Sequence, residues 1–441
     1  MSKAGERLEG NGEGRLAGFL SSQKNSFLQD LKDGKGKGWI VVMGNEAGDL
    51  DSLASSIAFS QLSATLNASR VVPLVLTPPK YMTLRPENLL VLQKTFIPLA
   101  SLLHVSELPM PSSDLSKQGV KFALVDHNRL LPEFGAGRVE VVIDHHEDEG
   151  LHTDAAIRNI TVPVGSCASL VTQHFKPQWE ASLQHEAPIP AELATVLLSA
   201  ILVDTTGLKP QGKATPIDYD SAEFLYCIST LPQARDDVSF LSSPDGFPVP
   251  SPLTQLASIL LETKSNISNL STYELAMRDY KEYMWPTQAA AFPTLKVGLS
   301  TVPLSLKPWI ERTPQGWNSL MQGIDEHMTE RTLDIEGILT TFKSEKKGKH
   351  KRQLAVVVRS GGVIKDDDEA ERVFDRLLQG LEGSGDILSL KKWKKERTVK
   401  KENTKGKWVK IWVQGNTRST RKQIAPLMVC HSALSKIKLN I

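Results

Sequence analysis

The sequence predicts an α/β protein, built as a parallel-sheet domain followed by a smaller mixed α/β domain. Three observations carry that expectation. GWIVVMG and VEVVID are continuous apolar runs, the pattern of strands covered on both faces. Helically spaced segments lie between and after such runs, and strands alternating with helices indicate a parallel sheet. Near residue 231 the texture turns rich in Pro, Ser and Asp before a second set of strands begins.

Taken in order, residues 1–14 are rich in Gly and charge and are expected to form a mobile tail. RLAGFLSSQKNSFLQDLK has helical spacing. The strand in GWIVVMG ends at Gly44, and DSLASSIAFSQLSATL repeats Leu53, Ile57 and Leu62 at helical intervals. RVVPLVLT, VKFALVDHN and VEVVIDHH supply further strands. In AELATVLLSAILVD, Leu193, Val196, Leu197, Ala200 and Ile201 share one face, which reads as a buried helix. The first domain thus spans 15–230. Residues 231–254 read as a linker, with an active-site loop as the other reading. The second domain, 255–441, has strands in LKVGLSTV, LDIEGILTTF, RQLAVVVR and WVKIWVQG. Two basic inserts interrupt it, 343–352 and 391–407, the latter with nine Lys or Arg against two Glu. Such a run is ordinarily a solvated loop, and a cationic flap for a polyanion is the alternative.

The apolar share of 40% and charged share of 23% are ordinary for a soluble globular protein. A net charge of only +2 gives no bulk attraction for polyanions, and nucleic acid is not expected as a partner. Cys167, Cys227 and Cys430 lack metal-type spacing and leave one unpaired, which fits reduced thiols better than a disulfide framework. No apolar run has the length of a membrane span, and the first residues lack the apolar core of a signal peptide. A cytoplasmic monomer without membrane contact is expected.

Four places bring carboxylates to the ends of elements: Asp49 and Asp51 in GNEAGDLDS, Asp126 in FALVDHN, Asp144 with His145 and His146 in VVIDHH, and Asp204 in SAILVDTTGLK. An Asp after a strand is often only a helix N-cap, and Asp51 before SLASS fits that description. All four together call for more. The strands of an open parallel sheet end along one edge, where ligands bind. Two unit charges about 4 Å apart repel by about 4 kcal/mol at an effective dielectric near ~20. The acids must therefore be partly protonated or hold cations. Carboxylates mixed with imidazole suit Mn²⁺ or Mg²⁺, with Co²⁺ or Zn²⁺ also admitted.

These residues resemble the DHH phosphoesterase superfamily, named for the triplet at 144–146, and the second half resembles its DHHA2 domain. MRDYKEY (277–283), VGLSTV (297–302) and RSTRKQIAP (418–426) support the likeness. Family II inorganic pyrophosphatases, eukaryotic exopolyphosphatases and Prune proteins share this pairing. The resemblance implies two divalent cations, Mn²⁺ or Mg²⁺ with Co²⁺ admitted. One would sit on Asp49 and Asp126, the other on Asp51, Asp126, His145 and Asp204, with Asp126 bridging. It implies that Asp126 and His146 are catalytic and that Asp144 orients the histidines from behind. His146, Lys209, Lys281, Arg421 and Lys422 would hold substrate phosphates, in a cleft between the domains. Asn45 stands where the pyrophosphatases place a metal-binding His; GNE instead looks like the exopolyphosphatase and Prune branch. The expected activity is release of orthophosphate from the ends of inorganic polyphosphate, by water activated between two metals. The alternatives are an inorganic pyrophosphatase, or a Prune-like nucleotide phosphodiesterase or adaptor.

Overall fold

The computed structural model describes residues 14–184, 189–209, 212–233, 249–287, 293–344, 348–394 and 406–432. The start of the expected tail, most of the linker and the centres of both basic inserts lie outside these. The chain divides into two compact units, Met1–Asn266 and Ile267–Ile441.

The first unit carries the strands β1 (Trp39–Met43), β2 (Arg70–Val75), β3 (Leu103–His104), β4 (Lys121–Val125), β5 (Val139–Asp144) and β6 (Ile157–Ile160). They pair in the order β3-β2-β1-β4-β5-β6, every pair parallel. Strand order reverses beside β1, so β1 and β4 flank a topological switch point, where ligands enter sheets of this kind. The helices are α1 (Arg15–Lys32), α2 (Leu50–Asn67), α3 (Pro86–Lys94), α4 (Cys167–Ser182), α5 (Ala191–Asp204), α6 (Pro216–Ile228) and α7 (Ser251–Ser265). Alternation along β1 explains the double cover. Val42 points into the core shared with α2, α4 and α5, while Val41 and Met43 join Phe27 and Leu31 of α1 on the other face. α2 is buried from Leu50 to Ser63, and its small residues let α4 and α5 pack close. Its serines do not leave polar atoms stranded: Ser56 and Ser60 donate to the carbonyls of Leu53 and Ser56. α7 begins in the expected linker and buries Leu253, Leu256, Ala257 and Leu260 in this first core. The first unit thus extends to Asn266, beyond the expected domain start at 255.

The second unit holds α8 (Thr272–Arg278), β7 (Tyr280–Pro286), β8 (Thr294–Val302), α9 (Leu306–Arg312), α10 (Trp317–Glu330), β9 (Ile335–Lys343), β10 (His350–Arg359), α11 (Asp367–Glu382), β11 (Leu390–Lys392), β12 (Lys407–Gln414) and α12 (Arg421–Ser432). Its sheet runs β11-β12-β10-β9-β8-β7, antiparallel except for β8 with β9. The mixed α/β character expected from the sequence is borne out. The described ends of both basic inserts are strand residues rather than free loop: Lys343 closes β9, His350–Arg352 open β10, Lys391 and Lys392 lie in β11 and Lys407 starts β12. No described helix is long and apolar enough to cross a membrane.

This second core hides an acid. Glu336 of β9 is fully buried, its Oε1 2.5 Å from Ser300 Oγ, while the same hydroxyl lies 2.8 Å from the Ala276 carbonyl. A hydroxyl has one proton to give. If Ser300 gives it to Ala276, the carboxyl must itself donate, and burial indeed pushes Glu336 up to about 8. His327 of α10 lies 3.8 Å from Glu336 Oε2, but burial lowers it to about 4, so both groups are neutral near pH 7 rather than an ion pair. The two act on stability with opposite sign. Glu336 keeps its proton on folding, so its contribution is complete below its ordinary value and is lost as pH rises towards about 8. His327 releases its proton on folding, so its term improves as pH rises from about 4 and is exhausted by about 6.5. Of these two groups, only Glu336 still contributes a slope between pH ~6.5 and ~8, at most about 1.4 kcal/mol per pH unit. Urea midpoints of the full chain, followed by tryptophan fluorescence, should fall over that interval. Glu336→Gln should flatten that part of the slope, and an unchanged slope would contradict a protonated Glu336.

Candidate metal centre

β1 ends at Met43, and residues 44–49 carry the chain to α2, where Asp49 is the N-cap and accepts from the Ser52 N–H at 3.1 Å. The helix cap is therefore Asp49 and not Asp51, the residue for which the sequence offered that reading. Asp51, two residues further and 1% exposed, does something else. Its Oδ1 accepts from Ser166 Oγ and the Ala168 N–H, both at 2.8 Å, and its Oδ2 from the Cys167 N–H at 2.6 Å. The start of α4 thereby fixes a carboxylate donated by α2.

Asp126 follows β4 with a φ of 64°, a left-handed conformation that Asp tolerates better than most residues. The turn brings its N–H to the Ile143 carbonyl at 3.0 Å. Oδ2 accepts from Ser52 Oγ at 2.6 Å and Asn45 Nδ2 at 2.8 Å, which leaves Oδ1 facing His145 Nε2 at 3.2 Å. Burial first, then the Asp51 charge, drive Asp126 well above the usual carboxylate range. Asn45 also donates to the Asp126 carbonyl, and its own Oδ1 accepts from the Ala47 N–H. These contacts let Asn45 position Asp126.

Asp144, the last residue of β5, is buried behind the two histidines. Its Oδ1 accepts from the N–H groups of His145 and His146 and from His146 Nδ1 at 2.8 Å; Oδ2 accepts from Asn128 Nδ2 at 2.6 Å. Burial opposes ionisation, but the His146 and Asn128 contacts outweigh it and lower Asp144. His146 is half-exposed, with Nδ1 tied inward.

His145 carries the strongest indication of a cation. Its Nδ1 lies 3.0 Å from the Val164 carbonyl, a pure acceptor, so Nδ1 holds a proton. A neutral ring would then aim the lone pair of Nε2 at two carboxylates, Asp126 Oδ1 at 3.2 Å and Asp51 Oδ2 at 3.7 Å. A proton, on His145 or on Asp126, or a metal must therefore lie between them. Burial works against the proton, yet Asp126 and Asp51 overcome it and raise His145 to about 10. Asp204, the last residue of α5, completes the group; burial and then Asp51 raise it to about 8. Two donor sets have atoms within 4.8 Å of one another: Asp51, His145 and Asp204, and Asp126, His145 and His146. Carboxylate oxygens plus imidazole fit a divalent cation, so the residues present suit the metals the sequence implies. Asp49 lies in neither set, although its charge acts on Asp126 and Asp204.

The remaining expected site residues are placed as follows. Lys209 is exposed, just past the turn Thr206–Gly207–Leu208 in which every φ is positive. Lys281 lies in β7, and Lys422 is exposed on the first turn of α12. Arg421 is engaged: its Nη2 pairs with Asp279 Oδ1 at 2.6 Å and its Nη1 donates to the Asp279 carbonyl. All three belong to the second unit.

Three contributors escaped the sequence reading. Asp218 accepts from the N–H groups of Gly165 and Ser166 and from Ser169 Oγ, and so holds the 164–169 segment that grips Asp51 and His145. Asn128 steadies Asp144. Lys264 reaches to 3.8 Å from Asp204. Asn128 ends the FALVDHN stretch already singled out for Asp126, whereas Asp218 and Lys264 stand in no such motif.

The DHH family N-terminal domain matches residues 39–201, and the DHHA2 domain matches residues 258–429. The chain thus carries a DHH family N-terminal domain and a DHHA2 domain. It is similar to a Schizosaccharomyces pombe protein named "Putative exopolyphosphatase", 27% identical over 400 residues, covering 88% of this chain and 89% of that one. It is similar to mouse exopolyphosphatase PRUNE1, 28% identical over 280 residues, 62% of this chain but only 54% of that protein. A manganese-dependent inorganic pyrophosphatase of Methanocaldococcus jannaschii is 25% identical over 246 residues, 55% of this chain and 66% of that one.

Proposed function

We propose that this DHH protein is a metal-dependent exopolyphosphatase that releases orthophosphate from the ends of inorganic polyphosphate. The observation that carries the reading is His145 Nε2, aimed at Asp126 Oδ1 and Asp51 Oδ2 with its proton fixed on the opposite nitrogen. Asp51, Asp126, His145 and Asp204 would hold divalent cations, Mn²⁺ or Mg²⁺, with Asp49 adding charge beside them. When bound, such ions supply Lewis-acid charge for a phosphoryl group and make water more acidic.

The chain's own residues do the rest. Val164 and Asp144 hold the two imidazoles in one tautomer and one orientation. With Nδ1 tied to Asp144, His146 presents its other nitrogen to the phosphate. Lys209, Lys281 and Lys422 offset the charge of the polyanion. Arg421 can join them only by exchanging the Asp279 carboxylate for a phosphate, a fork it suits equally well. Such positioning and electrostatics account for most of phosphoryl-transfer catalysis.

The length of the match to the S. pombe relative favours polyphosphate as substrate. The pyrophosphatase likeness keeps diphosphate as a second reading. Orthophosphate release from long polyphosphate, tripolyphosphate and diphosphate, with Mn²⁺, Mg²⁺ or Co²⁺ supplied in turn, tests both. Turnover of the longer substrates is expected. Turnover of diphosphate alone would replace the first reading by the second, and none from any of them would refute both.

A further inference from the structure

Asp49 is the odd member of the acid group. It belongs to neither donor set, and as the N-cap of α2 it stands where the chain enters the helix. Its position depends on the turn that delivers it. That turn is closed from within by the Gly48 N–H on the Asn45 carbonyl, at 3.1 Å. It is also held from outside, and by a single stretch of chain, residues 77–88.

Arg85, just ahead of α3, donates Nε and Nη2 to the Ala47 carbonyl at 3.2 and 2.7 Å. Asn88, in the first turn of α3, donates Nδ2 to the next carbonyl, that of Gly48, at 2.9 Å. Both side chains are buried. Gly48 has a φ of 56° and no room for a side chain, since a Cβ there would lie 2.3 Å from Thr77 Oγ1. Two successive peptide groups are thus fixed from outside, and the residue that follows them is Asp49.

A plainer account exists for Arg85 alone. Its Nη1 lies 4.0 Å from Glu87, also buried, and the two could be only an internal ion pair. That leaves unexplained why two other nitrogens of the guanidinium meet on one carbonyl, two residues before an acid. A guanidinium carries its donors in a rigid fork, and so fixes an acceptor in direction as well as distance. Its charge also reaches Asp49: burial opposes ionisation there, and Arg85 leads the charges that favour it.

We propose that Arg85 is a positioning residue of the metal centre, which fixes the Ala47 carbonyl and so holds Asp49 in place to take part in binding a divalent cation. The inference rests on the metal-dependent reading above, and adds to it a part for the segment that follows β2.

The test is a cycle of variants in the full chain: Arg85→Lys, Asp49→Asn and the two together. Calorimetry gives the Mn²⁺ affinity of each, and thermal scans without metal give its stability. Lysine keeps the charge and loses the fork. Asparagine caps a helix as well as aspartate does, so Asp49→Asn leaves α2 its start. Arg85→Lys should bind Mn²⁺ about tenfold more weakly, the usual size of a change made behind a metal ligand. Asp49→Asn should lose at least as much. The double variant should bind no more weakly than Asp49→Asn, because the arginine acts through the aspartate. Should Arg85→Lys not fold, Asn88→Ala, which frees the next carbonyl, carries the same cycle. Losses that add would mean that Arg85 acts on a different ligand, by way of Asn45 for instance, and would overturn the proposal. A lower melting temperature with Mn²⁺ affinity unchanged would reduce Arg85 to the Glu87 ion pair and overturn it too, as would unchanged affinity in Asp49→Asn. A wild type that binds Mn²⁺ but cleaves no phosphoanhydride would end the exopolyphosphatase reading and leave the cycle to decide Arg85. A wild type that binds no Mn²⁺ would end both.

Discussion

Asp126→Ala is expected to abolish orthophosphate release without unfolding the protein. The two halves of that statement come from the same side chain. In the absence of metal, Asp126 is a buried acid pushed up by burial and by Asp51, so its removal relieves a repulsion. It also removes one acceptor from Ser52 Oγ and one from Asn45 Nδ2, which keeps the residue 126 carbonyl, at about 1 kcal/mol for each lost bond. These terms oppose each other, and the metal-free melting temperature should move little. With metal the balance is one-sided. A ligand held at 100 times its dissociation constant stabilises the native state by about 2.7 kcal/mol. The wild type should show a rise in melting temperature of that origin on adding Mn²⁺, and Asp126→Ala should lose it. Thermal scans with and without Mn²⁺, beside a phosphate-release assay, check both halves. A variant that still responds to Mn²⁺ and still turns over would remove Asp126 from the centre. A variant unfolded without metal would instead make Asp126 a structural acid.

Much of this candidate centre was legible in the sequence because most of its acids stand at the ends of elements with plain signatures. FALVD and VVID are apolar runs that stop at an acid, and burial on both faces of a parallel sheet writes such runs directly into the chain. The period of α5 likewise carries the reader to Asp204. The short edge strands β3 and β6 were not read, since two residues in one case and four half-buried ones in the other leave too little pattern. β7 carries no clear strand signature either, because YKEYMWP mixes charge and aromatic rings at an edge. Asp218, Asn128 and Lys264 were missed for a different reason. Their roles consist of hydrogen bonds or charge contacts across 16 to 60 positions of chain, and no local rule of residue spacing encodes those. The acids could be found by where strands end; the groups that hold them could not.

Gly44→Ala should be among the most damaging single-methyl additions in the first unit. Gly44 does not need a left-handed conformation, so the argument is one of space alone. A Cβ there would lie 2.4 Å from Ser52 Cβ, 2.8 Å from Ser52 Cα and 2.8 Å from Ser52 Oγ. Backbone and Cβ atoms of a helix cannot swing aside as the end of a lysine can. α2 is buried from Leu50 to Ser63, so its first turn can shift only by disturbing α4 and α5. Overpacking of this kind typically costs about 1–3 kcal/mol. The site would suffer as well, because the displaced serine donates to Asp126 Oδ2 and accepts from the Asn45 N–H. Ser52→Ala separates the two effects. It keeps the space and removes only the hydroxyl, so it should loosen Mn²⁺ binding with a smaller loss of stability. Urea unfolding and Mn²⁺ calorimetry on both variants read these expectations. Stability of Gly44→Ala equal to wild type would mean that α2 is free to move away from β1. The close approach of strand end and helix start, which lets Asn45 and Ser52 converge on one carboxylate, would then not be what holds Asp126 in place.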